Sequence, residues 1–453
     1  MTTNTHTTKR PGRVKRALMG TTSLVLAGGL LLSGCATDTA TSSTSSSRTT
    51  TSSTTASDSG SGSGSGSTVA AAAQEVTTST ASTTAETITN TSAAVEAFLA
   101  TLSDEQVEAV TYDYDDATKS TSWSNFPVTF VERAGLNVAD LTEEQQVAAL
   151  QVLEALLSDE GYATVSNIIA GDQYLADTSS STEDSLGQYY IALFGDASSG
   201  SPYEIQFGGH HLGINATLDA GTDAITFAPT HLGTQPEVWT AADGTQVETF
   251  GTIYTTAFAF YDSLTDEQKA ALYQGENVAA MVCAPGSTCT YPTGTGLAGS
   301  DLTDEQKQLL LDVVANWVGL ADEQTTADAL ADIEATLDET YVSWSGATVY
   351  DMTQGDGISF QISGPDVYIE FASQQGSAGA DVDGVVTSGW GHVHTIYRDP
   401  GNDYANSVEQ QEAAGGMGGG APAGGGPRGG TPPAGGPGGT PPTGDTSLPA
   451  TEG

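Results

Sequence analysis

The chain has 453 residues, and its 56 acidic side chains against 12 basic ones give a formal net charge of −44 at pH 7. So negative a surface repels phosphate backbones, which argues against nucleic acids as partners. With 3 cysteines and 6 histidines in the sequence, thiol and imidazole chemistry can be followed residue by residue.

The first 35 residues carry the features of a lipoprotein signal. Basic residues cluster between positions 9 and 16, residues 17–32 are mainly apolar or small, and Leu32-Ser33-Gly34-Cys35 matches the lipobox. This pattern predicts a signal peptide over 1–34, removed before Cys35 receives its lipid. The alternative, an uncleaved membrane anchor, would not require a cysteine here. We therefore expect lipid on Cys35 to hold the protein on the outward face of the cell membrane.

Two low-complexity segments flank the region that can fold. Residues 35–90 are rich in Ser, Thr, Ala and Gly, and residues 408–453 are dominated by Gly and Pro. Neither offers enough apolar surface to form a core, so we predict a disordered tether and a disordered tail. Residues 91–407 remain as the folded domain, with length for one large core or two small ones.

A short element of the form Leu-(Ser/Thr)-(Asp/Glu)-Glu-Gln recurs four times in the folded region. Its copies occupy residues 102–106, 141–145, 264–268 and 302–306. The hydroxyl residue can cap a helix, the Gln can return a hydrogen bond, and the two acids favour the positive end of the helix dipole. We therefore interpret these carboxylates as helix starts and not as catalytic groups. Apolar residues follow at helical spacing over 147–157 and 310–318.

Other segments alternate between apolar and polar residues, which is typical of strands. The clearest are residues 203–207, 358–362 and 367–371, with Gly364-Pro365-Asp366 as a turn between the last two. The strands are clustered and do not alternate one by one with helices. We expect an α+β fold, a single domain in which capped helices pack on an antiparallel sheet.

Cys283 and Cys289 are the cysteines of the folded region, and five residues that include Pro285-Gly286 separate them. In an oxidising exterior this spacing closes a small loop, so we predict a disulfide between them. A redox or metal role would call for a Cys-x-x-Cys spacing or a neighbouring histidine, and the sequence has neither.

Five histidines remain once the signal is removed: His210, His211, His231, His392 and His394. If residues 390–398 form a strand, His392, His394 and Arg398 project from one face. His210 and His211 are adjacent, so in a strand they would point to opposite faces and one alone would join the others. We favour His211, although a bulge at the preceding Gly-Gly step would reverse this choice.

Imidazoles from two neighbouring strands could together bind zinc, copper or iron, the metals that suit nitrogen ligands. His210, His211, His392 and His394 are therefore the candidate metal ligands. The alternative is that these side chains only form hydrogen bonds with carboxylates. Glu370 is a candidate fourth ligand or general base, and Arg398 either binds an anionic substrate or braces the sheet through an ion pair.

Several segments together resemble a bacterial and fungal family known as domain of unknown function 3500. They are Trp123-Ser124-Asn125-Phe126-Pro127, Arg133-Ala134-Gly135-Leu136, Gly208-Gly209-His210-His211-Leu212, and Trp390-Gly391-His392-Val393-His394 continuing to Arg398-Asp399-Pro400. The resemblance covers about residues 95–405 and implies one continuous domain. It also groups the paired histidines with Arg398, but implies no activity or cofactor. His231 lies where this family more often has an apolar residue.

These observations favour a cell-surface enzyme that depends on a transition metal, either a hydrolase or an oxidoreductase. A second hypothesis is a lipoprotein without catalytic activity that captures a metal ion or a small molecule. A third is a structural envelope protein whose histidines are hydrogen-bonded residues of the sheet.

Overall fold

The computed structural model describes residues 68–183, 185–276 and 280–413. The predicted signal peptide, the lipidation site at Cys35 and most of the predicted tether and tail lie outside these residues. Within the described ranges, none of the helices combines the length and the apolar character that crossing a membrane requires.

Helices form two groups along the described chain. They are α1 (Val69–Ala72), α2 (Thr84–Ala100), α3 (Asp104–Val110), α4 (Thr118–Thr121), α5 (Glu143–Leu156), α6 (Asp159–Thr178), α7 (Gly251–Ser263), α8 (Asp266–Leu272), α9 (Asp304–Val318) and α10 (Glu323–Glu334). All four predicted capping boxes are present, at the starts of α3, α5, α8 and α9. The predicted helical stretches at 147–157 and 310–318 correspond to α5 and α9.

The longer strands follow each group of helices, and the two-residue strands β1, β2 and β10 lie among the helices. They are β1 (Thr111–Tyr112), β2 (Leu136–Asn137), β3 (Tyr190–Phe194), β4 (Tyr203–Gly208), β5 (Leu212–Asp219), β6 (Ala224–Thr226), β7 (Thr230–Thr234), β8 (Val238–Thr240), β9 (Gln246–Glu248), β10 (Leu297–Ala298), β11 (Tyr341–Gly346), β12 (Ile358–Ser363), β13 (Tyr368–Gln374) and β14 (Gly389–Arg398). One mostly antiparallel sheet runs β1-β3-β4-β5-β7-β14-β13-β12-β11-β10, and β8 and β9 form a separate pair. The predicted α+β class is confirmed.

The domain consists of two equivalent halves, and each half contains two copies of the recurring capping element. When the short elements β1, α4 and β6 are set aside, the first half, α2-α3-β2-α5-α6-β3-β4-β5-β7, has the same order of elements as the second half, α7-α8-β10-α9-α10-β11-β12-β13-β14. In the sheet, β2-β3-β4-β5-β7 and β10-β11-β12-β13-β14 are arranged symmetrically about the central β7 and β14 pair. The fold is therefore an internal repeat related by a pseudo-two-fold axis.

Two glycines occupy equivalent positions in the two halves. Gly135 and Gly296 have φ of +82° and +95°, and a Cβ on either would lie 1.9 or 2.0 Å from a backbone carbonyl oxygen of the adjacent strand. Both positions therefore require glycine.

The hairpin turns of the two halves are also equivalent. The β4 to β5 turn closes with Gly209 N donating to Leu212 O at 2.9 Å, and the β12 to β13 turn closes with Gly364 N donating to Val367 O at 2.8 Å. His210 and His211 thus occupy the positions that Pro365 and Asp366 take in the second half.

The folded region begins earlier than its composition indicates. α1 and the first seven residues of α2 lie in the predicted tether, so the boundary drawn at residue 91 falls inside α2. Threonine replaces apolar residues on the buried face of α2: the Thr87 hydroxyl donates to Asp322 at 2.7 Å, and Thr91 donates to the Ala155 carbonyl at 3.0 Å. At the other end, residues 408–413 pack on the domain, where Ala413 is buried.

The two faces of the sheet are covered differently. On β5, Leu212, Ile214, Ala216 and Leu218 face the main apolar core, which the long helices complete. The alternate residues face a polar layer roofed by irregular segments, one carrying Trp123 and another carrying Cys283 and Cys289. The two cysteines lie at disulfide distance, as predicted, with Cα atoms 4.7 Å apart. All the candidate ligands lie in or beside this polar layer.

Candidate metal centre

His210 and His211 form the tip of the hairpin between β4 and β5, and this tip is buried. His210 is 6% exposed and His211 is inaccessible, whereas hairpin tips ordinarily face solvent. The two rings stack at 4.3 Å with an interplanar angle of 13°. The expectation that they point to opposite faces is wrong, because strand alternation does not apply to turn residues. Both imidazoles therefore reach the same site.

His392 and His394 lie on β14 with both rings on one face, as the spacing predicts. Their Nε2 atoms are 3.1 Å apart. Two nitrogens bound to one tetrahedral ion at 2.0–2.1 Å would be separated by about 3.3 Å. The pair is therefore already spaced for chelation.

The hairpin tip and β14 are not neighbours, which corrects the assumption that the two histidine-bearing strands adjoin. β7 lies between β5 and β14, and its Gly233 pairs with His394 and donates to the His211 carbonyl at 2.7 Å. A Cβ on Gly233 would lie 3.0 Å from His231 Cε1 and 3.3 Å from His211 Cδ2. Because Gly233 has no side chain, the rings of His211 and His394 have space to approach each other across β7.

Three imidazoles converge on one point, and a fourth lies beside them. One ring nitrogen each from His210, His211 and His394 lies within 4.8 Å of the others, and His392 joins them through its 3.1 Å approach to His394. Residues nearly 200 positions apart in the chain thus offer four nitrogen donors, the ligand type that zinc, copper and iron accept.

A carboxylate orients His211. Asp172, on α6, lies with Oδ1 at 2.6 Å from His211 Nδ1, and its Oδ2 accepts a 2.6 Å hydrogen bond from the Tyr189 hydroxyl. Within the described residues, His211 Nε2 is buried without a hydrogen-bond partner. A proton held on Nδ1 by Asp172 leaves the Nε2 lone pair facing the other imidazoles. Metal-binding histidines normally have this arrangement, in which one ring nitrogen donates to a carboxylate and the other is free for the metal.

Neighbouring oxygen atoms also determine which ring nitrogen carries the proton in His392 and His210. His392 Nδ1 is 2.6 Å from the carbonyl oxygen of Gln375, so Nδ1 carries the proton and Nε2 is free to bind. His210 Nδ1 lies 2.7 Å from Glu183 Oε1, at ion-pair distance but without hydrogen-bond alignment. This contact likewise directs the Nε2 atom of His210 away from the carboxylate.

Asn125 contacts the fourth ring, with its amide nitrogen 2.8 Å from His394 Nδ1. Its Oδ1 is buried without a partner in the described part of the chain. Exchanging the two ends of the amide would let Oδ1 accept a proton from Nδ1, which satisfies the oxygen and frees the His394 Nε2 lone pair. Asn125 can therefore hold His394 in the tautomer that binds a metal.

Burial keeps the rings of His210, His392 and His394 neutral. It lowers the pKa of His392 to about 3, with the neighbouring His211 adding to the shift, and it lowers the pKa of His394 well below the ordinary value. The pKa of His210 is also lowered by burial, against the opposing effect of Glu183. Neutral imidazoles are the form that binds metals.

His231 lies against the cluster but is turned away from it. Its ring is 5.3 Å from that of His394, yet its Nδ1 is 2.8 Å from the Thr395 carbonyl oxygen and its Nε2 is 3.2 Å from that of His210. With both nitrogens at backbone carbonyls, His231 supports the hairpin tip and is not a ligand.

Glu370 and Arg398 do not join the cluster, which corrects the expectation that Glu370 is a ligand or general base. The Glu370 carboxylate accepts the backbone N–H groups of Val282 and Cys283 at 2.9 and 2.8 Å, so it anchors the cysteine-bearing loop. Arg398 donates to Asp403 at 3.0 Å and to the Ser287 carbonyl, with a buried guanidinium. It braces the sheet, one of the two roles that the sequence left open.

The geometry can be compared with known proteins at this point. A family model described as "Protein of unknown function (DUF3500)" matches residues 84–406. The chain belongs to this family. Neither the curated proteins nor the solved structures include a significant match to it.

The DUF3500 match spans both halves of the repeat and every residue of the cluster. It begins at the first residue of α2, seven positions before the predicted boundary. Of the residues around the imidazoles, sequence reasoning missed Asp172, Glu183 and the role of Asn125. Asn125 lies in a segment that carries the family resemblance, but no sequence signal marked Asp172 among the many acidic residues.

Proposed function

We propose that this DUF3500 domain binds one transition-metal ion, zinc, copper or iron, through His210, His211, His392 and His394. The observation that carries the proposal is the state of His211. Its Nδ1 is held by Asp172, while its inaccessible Nε2 has no partner among the described residues, and its ring lies 4.3–5.7 Å from the rings of three other histidines. A buried polar atom without a partner is costly to the fold, and a metal ion at this point would satisfy it.

The second half of the repeat supports this function by internal comparison. It builds the same hairpin turn with Pro365 and Asp366, closed by the same backbone hydrogen bond. The turn itself therefore does not require histidines. Two buried imidazoles at the equivalent position of the first half serve a purpose other than folding.

The charges around the cluster also suit a divalent cation. The carboxylates of Asp172 and Glu183 lie at ion-pair distance from His211 and His210. Two negative charges at this distance would balance an ion of charge +2 in a site from which water is largely excluded.

A second candidate function is hydrolysis by the bound metal, and the position of Glu183 favours it. The Glu183 side chain is 18% exposed beside His210, whereas Asp172 is almost completely buried. Water therefore approaches the cluster from the side of Glu183. Its carboxylate lies 2.7 Å from His210 Nδ1, beside the cluster, where it could accept a proton from that water. A metal there would lower the pKa of the approaching water.

We further propose that this chemistry takes place outside the cell. The lipobox at Cys35 and the basic, apolar segment before it support attachment to the outward face of the membrane. The low-complexity residues that follow would then act as a spacer between the lipid and the domain.

Elemental analysis of the purified full chain tests the metal proposal. The wild type, expressed with zinc, copper and iron supplied, should contain close to one equivalent of metal per chain. His392→Gln and His394→Gln should reduce this content strongly, since each removes a donor from a pair already spaced for chelation. Glu370→Gln is the matched control: it changes a buried side chain of the adjacent strand that binds the cysteine-bearing loop, and its metal content should match the wild type.

Two results would count against the proposal. A metal-free wild type with intact tertiary structure would remove it, as would equal metal content in the wild type and both histidine variants. Hydrolysis is tested separately by Glu183→Gln, which should keep the metal and lose activity against ester or phosphoester substrates. Loss of metal in that variant would instead make Glu183 a supporting residue only.

A further inference from the structure

Arg133 connects the two parts of the metal centre that lie in the first half. Arg133 is buried, with 7% of the residue exposed. It donates to the carbonyl oxygens of Ser124 at 2.7 Å, Phe126 at 2.6 Å and Gly209 at 2.8 Å, and also to that of Val131. One side chain therefore satisfies four backbone acceptors from two separate segments.

These acceptors stand next to the groups that contact the imidazoles. Ser124 and Phe126 flank Asn125, whose amide contacts His394. Gly209 immediately precedes His210 and His211. Moving the guanidinium would thus shift both the hairpin tip and the segment that orients His394.

The charge of Arg133 is not explained by an ion pair. Within the part of the chain that the structure describes, all four of its acceptors are carbonyl oxygens, and burial lowers its pKa to about 10. The guanidinium is therefore still charged at neutral pH. Arg398, the other arginine of the described residues, has the carboxylate of Asp403 as a partner. A buried cation whose acceptors are all carbonyl oxygens is costly to the fold. This cost favours a role for Arg133 in holding the two segments in position.

The internal repeat shows that the fold does not require an arginine here. Gly135 and Gly296 are equivalent in the two halves, and counting back two residues places Gly294 opposite Arg133. The second half therefore has a glycine where the first half has Arg133. It still forms the equivalent hairpin turn, with Pro365 and Asp366. The arginine and the paired histidines occur in the same half.

We propose that Arg133 is a positioning residue of the metal centre: it locks the Asn125 segment to the hairpin tip and so sets the geometry of His210, His211 and His394. This inference rests on the proposed metal binding. A guanidinium can do this because its planar fork of N–H groups reaches several carbonyls in fixed directions, whereas a Lys ammonium offers one donor centre.

The experiment is a titration of the metal-free full chain with Co²⁺, followed by its visible ligand-field absorption. Arg133→Gln should bind about 10–100-fold more weakly, the range seen when a residue that supports metal ligands is lost, and its absorption bands should shift. Arg133→Lys should fall between Arg133→Gln and the wild type. Arg398→Gln is the matched control: it removes an equally buried arginine from the strand of His394, and its bound spectrum should be that of the wild type.

Chemical rescue separates positioning from a general loss of stability. In Arg133→Ala, millimolar methylguanidinium should restore the wild-type spectrum, whereas methylammonium at the same concentration should not. Wild-type affinity and spectrum in a folded Arg133→Gln would overturn the inference while leaving metal binding intact. A spectrum equally altered in Arg398→Gln would also overturn it. If the wild type itself does not bind Co²⁺, the metal proposal fails first, so the two failures are distinguishable.

Discussion

Replacing Asp172 by Asn is the most informative single change outside the ligands. Asp172 is 1% exposed, 2.6 Å from His211 Nδ1 and 2.6 Å from the Tyr189 hydroxyl. Asn has the same shape and can still accept one hydrogen bond, so the fold should survive. What it loses is the negative charge that holds the proton on Nδ1 and makes Nε2 a better donor to metal.

The expected cost is a 10–100-fold loss of metal affinity, which is about 1.4–2.7 kcal/mol. Tyr189→Phe serves as a graded control: it leaves the contact with His211 in place and removes one hydrogen bond to Asp172, so its loss should be smaller. The assay is competition for Zn²⁺ against a chelator of known affinity, with thermal unfolding of the metal-free forms recorded in parallel. Unchanged affinity in Asp172→Asn would refute the claim that this carboxylate prepares His211 for binding.

Three further changes test other parts of the account. Gly233→Ala should weaken metal binding in the same competition assay, because its Cβ would crowd the rings of His211 and His231; Gly213→Ala, which crowds Trp123 instead, should not. Thr142→Ala should lower the free energy of unfolding by about 1 kcal/mol, because it removes the cap of α5. Glu237→Gln should stabilise the protein increasingly as pH rises, since burial raises the pKa of Glu237 well above its ordinary value.

The sign of the Glu237 effect follows from its raised pKa. The folded state holds the proton more tightly than the unfolded state, so the contribution is fully present below the unfolded pKa and is lost as pH rises through the folded pKa. Gln cannot ionise, and each pH unit across that interval is worth about 1.4 kcal/mol. Thermal unfolding of wild type and variant from pH 4.5 to 8 measures the difference. A difference that stays constant with pH would show that Glu237 titrates normally.

Local signals in the sequence were sufficient for the helix starts and for the strands with a clear alternation. The capping boxes depend on residues three apart, and the alternation of β12 and β13 depends on neighbours, so both are readable without the structure. α2 was partly missed because its buried face carries Thr84, Thr87 and Thr91, whose hydroxyls are satisfied by residues far away in the chain. Composition alone therefore resembled that of a disordered segment.

The candidate site was predictable in its residue types but not in its arrangement. The spacing of His392 and His394 gave their shared face directly. The convergence of His210 and His211 depends on a turn, on Gly233 of an intervening strand, and on Asp172 from α6, which lies 39 residues before its partner. Such long-range contacts leave no period or motif in the sequence, and this is why Glu370 appeared a better candidate than Asp172.

X-ray absorption at the edge of the bound metal, recorded on the loaded full chain, identifies the atoms that bind the ion. Four imidazoles converging on one ion predict a first shell of nitrogen donors at about 2.0–2.1 Å for zinc, with the outer scattering of imidazole rings, and a loss of that scattering in His392→Gln. A first shell that contains sulfur, or one of oxygen donors without imidazole scattering, would show that the metal binds elsewhere and would contradict the account.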